Sequence, residues 1–226
     1  MLKEYLQSIT VGAAPKVLDL SGFESELCSS SLPSLSAVLN SCHAAEELLL
    51  SSTMLSVPEI VTLLSFVSRP SRCLKRLSLS FFVMELPSSD SQDVQMLCSA
   101  IEQLLRRTGK QIEALELYVE CLGATDLFLP LLSDTSVLPV LRSLVLVTRI
   151  APAGYKALQM LPRSLEKFWL GSLLINPEPK VSDVIVATVA RLDRLKDVAV
   201  TLCPCVPEDP NFCEQFGKAL KGLPDL

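Results

Sequence analysis

The 226-residue chain has one histidine, one tryptophan and only eight glycines. A single histidine, His43, excludes metal sites built from several imidazoles and leaves one base for any serine or cysteine relay. It stands in "NSCHAAEE" beside Cys42. Adjacent residues rarely aim their side chains at one reaction centre, so His43 reads as a structural or surface residue. The glycines form neither GxxxxGK[ST] nor GxGxxG, which removes the usual phosphate-cradling loops. Aromatic residues make up 5% of the chain against 49% hydrophobic. The core must therefore be aliphatic, which suits helices and repeat arrays better than aromatic-cornered sandwiches. Positive charge is also in short supply: 20 Lys and Arg face 25 Asp and Glu, for a net charge of −5. No nucleic-acid-binding face is expected from that balance. The one basic cluster, Arg106, Arg107 and Lys110 in "LLRRTGK", suits the C-terminal end of a helix.

Long apolar runs are missing too, although mean hydropathy is high at +0.41. The most apolar region, Val137 to Ile150, is interrupted by Arg142 and Arg149 and is too short to cross a bilayer, so no membrane span is expected. "MLKEYLQSIT" lacks the apolar run of a leader segment. Its Leu2, Tyr5, Leu6 and Ile9 instead predict a short amphipathic helix. The eight cysteines follow no repeated spacing and no Asn-x-Ser/Thr acceptor is present. Reduced thiols and a cytoplasmic or nuclear setting follow as the simplest expectation, with disulfides left open by the even count. "CPCVPEDPNFC" holds Cys203, Cys205 and Cys213 without a histidine or a second matched pair. These read as core and turn positions rather than zinc ligands, and a disulfide from Cys203 or Cys205 to Cys213 stays open. Carboxylates form no catalytic pattern; Glu46 and Glu47 read as solvated charges at a strand entrance. No metal, cofactor or catalytic residue is assigned.

What the chain does have is a recurring nine-residue stamp. It reads "PKVLDLSGF" from Pro15, "AEELLLSST" from Ala45, "LKRLSLSFF" from Leu74 and "IEALELYVE" from Ile112. It continues as "LRSLVLVTR" from Leu141, "LEKFWLGSL" from Leu165 and "LKDVAVTLC" from Leu195. The fourth and sixth places are apolar throughout: Leu18/Leu20, Leu48/Leu50, Leu77/Leu79, Leu115/Leu117, Leu144/Leu146, Phe168/Leu170 and Val198/Val200. Successive fourth places lie 30, 29, 38, 29, 24 and 30 residues apart. One alternating segment is an ordinary strand, but seven at a near-constant interval are a repeat.

Helical patterns fill the intervals. Ser56 and Glu59 form a capping box ahead of Ile60, Leu63, Leu64 and Val67. Val94, Leu97, Ile101 and Leu104 repeat the stripe, with Gly109 as a C-terminal stop. Val181, Ile185, Val189 and Leu192 do likewise. Asp209 before Pro210 reads as an N-cap and first helical residue for a stripe of Phe212, Phe216 and Leu220. The shortest interval has room for a helix around Tyr155 to Met160, and the polar "ELPSSDSQD" at 85–93 is expected to loop out.

A strand, a turn and a helix repeated in this way resemble the leucine-rich repeat proteins, particularly the long-repeat, ribonuclease-inhibitor-like type, over residues 15–226. The resemblance implies an α/β solenoid of about seven repeats. A curved parallel β-sheet would line its concave side and helices its convex side, in a single domain over 1–226 with 1–14 as a capping helix. The family's Asn or Cys at the ninth place is met only by Cys203; Phe23, Thr53, Phe82, Glu120, Arg149 and Leu173 depart from it. "GLPDL" at 222–226 resembles "VLPVL" at 137–141, which leads into a stamp. Leu226 would then open a further, incomplete repeat, and more repeats or a capping partner are expected at that end.

Alternation sends the third, fifth and seventh places to the face opposite the apolar pair. The resemblance makes that face the open, concave one. Serines dominate its early repeats. From the fourth repeat it gains Tyr118, Val145, Val147 and Trp169, bordered by Glu116 and Lys167, the anchor-and-rim composition of a protein interface. The expected function is a non-enzymatic scaffold that binds a protein partner through these six residues. The alternative is a regulator that inhibits or activates an enzyme such as a nuclease or small GTPase, as some leucine-rich repeat proteins do.

Overall fold

The computed structural model describes residues 1–11, 15–42, 44–68, 73–81, 92–119, 125–148, 152–172, 181–202 and 211–224. All seven stamps form strands: β1 (Val17–Asp19), β2 (Glu47–Ser52), β3 (Arg76–Phe81), β4 (Ala114–Val119), β5 (Ser143–Thr148), β6 (Lys167–Ser172) and β7 (Asp197–Leu202). They make one parallel sheet in strictly sequential order. The pairing register is the alignment of the stamps: Leu48 pairs with Leu77, Leu77 with Leu115, Leu115 with Leu144, Leu144 with Phe168 and Phe168 with Val198. A slip of one residue would turn the whole apolar row to solvent, so the row itself fixes the register.

Eight α-helices are described: α1 (Leu2–Val11), α2 (Leu32–Ser41), α3 (Val57–Val67), α4 (Gln92–Thr108), α5 (Thr125–Leu132), α6 (Pro152–Leu158), α7 (Val181–Arg191) and α8 (Phe212–Lys221). Each packs against its neighbours in sequence to form one layer. The fourth- and sixth-place side chains of β1 to β6 lie between sheet and helices, all 2% exposed or less. The product is a two-layer α/β fold compatible with a solenoid, in which each coil buries its apolar edge only by stacking on the next. No helix among the described residues is long and apolar enough to cross a membrane.

Local chemistry explains the helix starts. Ser56 and Glu59 form the expected capping box, with the Ser56 N–H donating to Glu59 Oε2 at 2.8 Å. The stripe Val94, Leu97, Ile101 and Leu104 is buried as its spacing predicts. α1 matches the amphipathic start of the chain, burying Leu2 and Leu6 and stacking Tyr5 on Phe23 with ring centroids 5.2 Å apart. Three expectations need correction. α4 begins at Gln92, so the last two residues of the 85–93 loop are helical, because they carry an acid into the first turn. The rest of that loop lies outside the described residues. The short helix α6 starts at Pro152, where a fixed φ and a missing N–H suit a first turn. The last helix starts at Phe212 with Asn211 at its N-cap position, whereas Asp209 and Pro210 lie outside the described residues. Leu226 and the eighth stamp also lie outside them.

The second place of each stamp, just ahead of the strands, is charged, and Glu46, expected as a solvated charge, is one of a row. Lys16, Glu46, Lys75, Glu113, Arg142, Glu166 and Lys196 succeed one another across the sheet, alternating in sign without a break. The backbone N–H of each of the last six donates to the carbonyl of its predecessor, at 2.7–2.8 Å, so the order is that of a physical ladder. Glu46 lies 3.5 Å from Lys16 and 2.7 Å from Lys75; Glu166 lies 3.4 Å from Arg142 and 2.9 Å from Lys196. The Lys75 ammonium, donating to Glu46, holds that carboxyl below the ordinary glutamate range, and Lys196 does the same to Glu166. Lys75 is pushed up in return, chiefly by Glu46.

A carboxyl whose folded pKa lies below its unfolded value contributes stability above the unfolded value and loses it as pH falls through the folded one. Carboxyl NMR titration should therefore find Glu46 and Glu166 with midpoints below those of ordinary glutamates. Lys75→Met and Lys196→Met should each return its partner upward, and high salt should shrink both displacements. Midpoints unmoved by these substitutions would refute the ladder.

Candidate functional site

The face opposite the helices is built by two rows of the same register. The fifth-place row runs Asp19, Leu49, Ser78, Glu116, Val145, Trp169 and Ala199, and the seventh-place row pairs Ser51, Ser80, Tyr118, Val147, Gly171 and Thr201. Ser21, in the first seventh place, is not in a strand. It opens a 3₁₀ turn after β1, where its N–H donates to Asp19 Oδ1 at 2.9 Å.

Across β4 to β6 the two rows carry Glu116, Tyr118, Val145, Val147 and Trp169 on one surface, and Lys167 joins them from the third place of β6. Trp169 is 38% exposed, the most open large apolar side chain of β4 to β6, with Glu116, Tyr118, Val147 and Lys167 half-buried around it. Its indole N–H donates to Asp197 Oδ1 at 2.8 Å, and Lys167 Nζ sits 3.7 Å from the ring centroid. Lys167 also lies 3.7 Å from Asp197, so the cation, the carboxylate and the indole hold one another in place. At the other end Arg76 Nη2 donates to Glu116 Oε1 at 2.8 Å, and Arg76 Nη1 lies 3.7 Å from Glu47. The Arg76 Nε–H is buried without a hydrogen-bond partner. The Tyr118 phenol is raised by desolvation first and by Glu116 second, with Arg76 opposing, so it stays neutral at physiological pH.

Val145 needs correction. It faces this surface but is only 3% exposed, and it lies outside the main core cluster. Glu116 and Trp169 pair with it in register on either side, so the small Val145 side chain sits low between two larger neighbours on strands about 4.8 Å away. Val145 is thus the floor of the patch rather than a contact residue. Val147 is partly exposed beside Gly171, where an added Cβ would meet the Val147 methyl groups at 3.1 and 3.3 Å. The surface between Tyr118 and Trp169 is therefore a low aliphatic floor between two aromatic walls, with its bordering charges already paired.

Arg76 and Asp197 are not among the sequence-predicted site residues. Both stand at third places, one strand away from the fifth-place residues they serve, Glu116 and Trp169. The two contacts are diagonals of the kind that join neighbouring rows of a sheet. Reading the aligned stamps diagonally as well as along rows was the available signal.

With strand order sequential, the sheet has no reversal point, and so no crevice of the kind in which doubly wound sheets hold nucleotides. His43, Cys203 and Cys205 lie outside the described residues. Among the described residues no group of three or more potential metal ligands forms. Cys98 is pushed up to about 11 by burial, whereas the Cys28 thiol is lowered, chiefly by its hydrogen bond with the Ser30 hydroxyl at 3.2 Å. A cleft of about 390 Å³ opens between α3 and α4, on the helix layer, with Ser65, Gln92, Gln103 and Arg107 in its lining. No protein-family model matches the chain, and no curated protein matches it in sequence.

Proposed function

We propose that this chain is a leucine-rich-repeat solenoid acting as a non-enzymatic protein-interaction scaffold, with a partner docked on the concave face of repeats four to six. The observation that carries this reading is the patch over β4 to β6: Tyr118 and Trp169 flank a Val145–Val147 floor, while Glu116 and Lys167 are paired within the chain. A surface whose charges are already neutralised loses less on desolvation, and rigid aromatic anchors lose little entropy when covered. Four described cysteines, Cys28, Cys42, Cys73 and Cys213, carry free thiols, which supports a reducing compartment such as the cytoplasm.

The test is quantitative capture of an identified partner. Tyr118→Ala combined with Trp169→Ala should weaken binding tenfold or more. Ser51→Ala with Ser80→Ala, on the serine part of the same face, should leave it within about twofold. Trp169 is the only tryptophan, so partner binding should also shield its fluorescence from acrylamide. Full capture by the aromatic double variant, in a chain with unchanged circular dichroism, would refute the assignment. If the captured protein is an enzyme, its turnover with and without this chain separates a scaffold from a regulator.

A further inference from the structure

Charge is unevenly spread over the open face of the sheet. Among the described residues its third, fifth and seventh places, with Glu24 from the turn after β1, carry Asp19, Glu24, Glu47, Glu116 and Asp197 against Arg76 and Lys167. Both cations are already engaged. Arg76 lies 2.8 Å from Glu116 and 3.7 Å from Glu47, and Lys167 lies 3.7 Å from Asp197 with the Trp169 ring beneath it. Asp19 and Glu24 are held by serines instead. Ser21 donates its N–H and its hydroxyl to Asp19 Oδ1, at 2.9 and 2.7 Å, and the Ser51 hydroxyl donates to Glu24 Oε2 at 3.2 Å. Neither carboxylate is in an ion pair among the described residues.

Register sets these acids around one apolar side chain. Leu49, half-buried at the fifth place of β2, pairs with Asp19 of β1. Glu47 precedes it by two residues on the same face, and Ser51, which holds Glu24, follows it by two. A lysine or arginine from a partner suits this spot, its methylene stem over Leu49 and its charge among the three carboxylates. Alone, these carboxylates would be ordinary surface charge. They gain a direction because they share one face with the aromatic patch. From Leu49 to Val145 is three strand spacings, about 14 Å, which an extended chain crosses in about four residues.

We propose that the partner of this face is a cationic polypeptide segment. Its apolar side chains sit between Tyr118 and Trp169, and its lysine or arginine side chains lie over Leu49, about four residues away. This rests on the reading of the Tyr118–Trp169 patch as a docking surface and adds the partner's charge. The described face offers excess negative charge and no uncommitted cation, so an acidic segment would bring like charges together. A second copy of this chain carries the same net charge of −5 and is opposed in the same way.

The probe is a blocked heptapeptide of two leucines, a Ser-Gly-Ser spacer, then arginine and lysine. Its counterpart ends in two glutamates. By titration calorimetry the full chain should bind the basic peptide at least tenfold more tightly than the acidic one, and high salt should narrow the gap. Asp19→Asn with Glu24→Gln keeps the acceptors of the serine hydrogen bonds and removes both charges. That variant should bind the basic peptide about fivefold more weakly, the range of two exposed ion pairs. Its own thermal stability should stay level or rise, since the two carboxylates have no cation to lose.

Equal affinity for the two peptides, or binding of neither, would overturn the proposal. A drop in stability of the Asp19→Asn, Glu24→Gln chain would overturn it too, by assigning the neutralising cation to this chain itself. So would self-association in place of peptide binding, which would make a second copy the occupant. Tyr118→Ala separates the two readings. Binding weakened by Tyr118→Ala but not by the loss of the carboxylates removes the cationic partner and leaves the patch standing. Binding weakened by the loss of the carboxylates but not by Tyr118→Ala removes the patch as anchor, and this proposal with it.

Discussion

Phe168→Ala should lower the unfolding free energy by about 3–5 kcal/mol, the range for truncating a buried aromatic. Phe168 is 0% exposed and occupies the fourth place of β6, in register between Leu144 and Val198. It is the one aromatic side chain in a row otherwise made of leucine and valine, so alanine there removes more volume than at any other rung. The shell around it shares one core cluster with Ile185 and Val189 of α7, and a close-packed interior collapses only partly into such a void. Against a total of about 5–15 kcal/mol, the loss is a large fraction.

Its location matters as much as its size. Phe168 lies beside β7, the last described strand, so β6, β7, α7 and α8 should loosen before β2 to β4 do. Urea unfolding followed by circular dichroism gives the loss, and amide exchange gives its distribution. A change below about 1 kcal/mol would mean that the ring does not fill the space between sheet and α7.

Gly109→Ala should cost about 1–3 kcal/mol, the range for forcing atoms into a packed interior. Gly109 is buried at the start of the 3₁₀ turn that follows α4. A Cβ there would stand 2.6 Å from the Val137 carbonyl oxygen and 3.0 Å from a Leu138 methyl group. The obstruction is backbone on the approach to β5, which cannot swing aside as a flexible side chain would. Either α4 or the 137–138 segment must shift, and both set the spacing of repeats four and five. Gly22→Ala is the matched control: an added Cβ meets nothing within 4 Å, so stability should change by no more than about 0.5 kcal/mol. Equal effects at the two positions would remove close approach as the reason for Gly109.

Gly109 also shows where sequence reasoning stops. Its place after a helical stripe marks a helix end, and α4 does end at Thr108. The reason is spatial, however, since Gly109 does not adopt the left-handed conformation of a glycine stop. It depends on Val137, 28 positions further along the chain. By contrast, strand register was fully legible, because identical places in successive stamps must stack for the apolar row to stay dry. The outward rows followed by parity, which placed Tyr118, Val147 and Trp169 correctly. Parity gives the face of a side chain but not its exposure, and Val145, set between the larger Glu116 and Trp169, is only 3% exposed. α5 escaped notice because it is short and carries Pro130 inside it, a residue that normally argues against a helix interior. The charge ladder escaped because each of its members, taken singly, is an ordinary surface charge.

Sequential strand order makes assembly resemble polymer growth. No rung has to close a longer loop than the 38 residues from Leu77 to Leu115. Closure entropy varies only logarithmically with length, so the longest and shortest connections differ by about 0.4 kcal/mol. Every coil therefore joins at nearly the same entropic cost, whichever rung forms first. On the stacked-coil reading proposed above, the stiffness of the array at any point depends on the two coils flanking it.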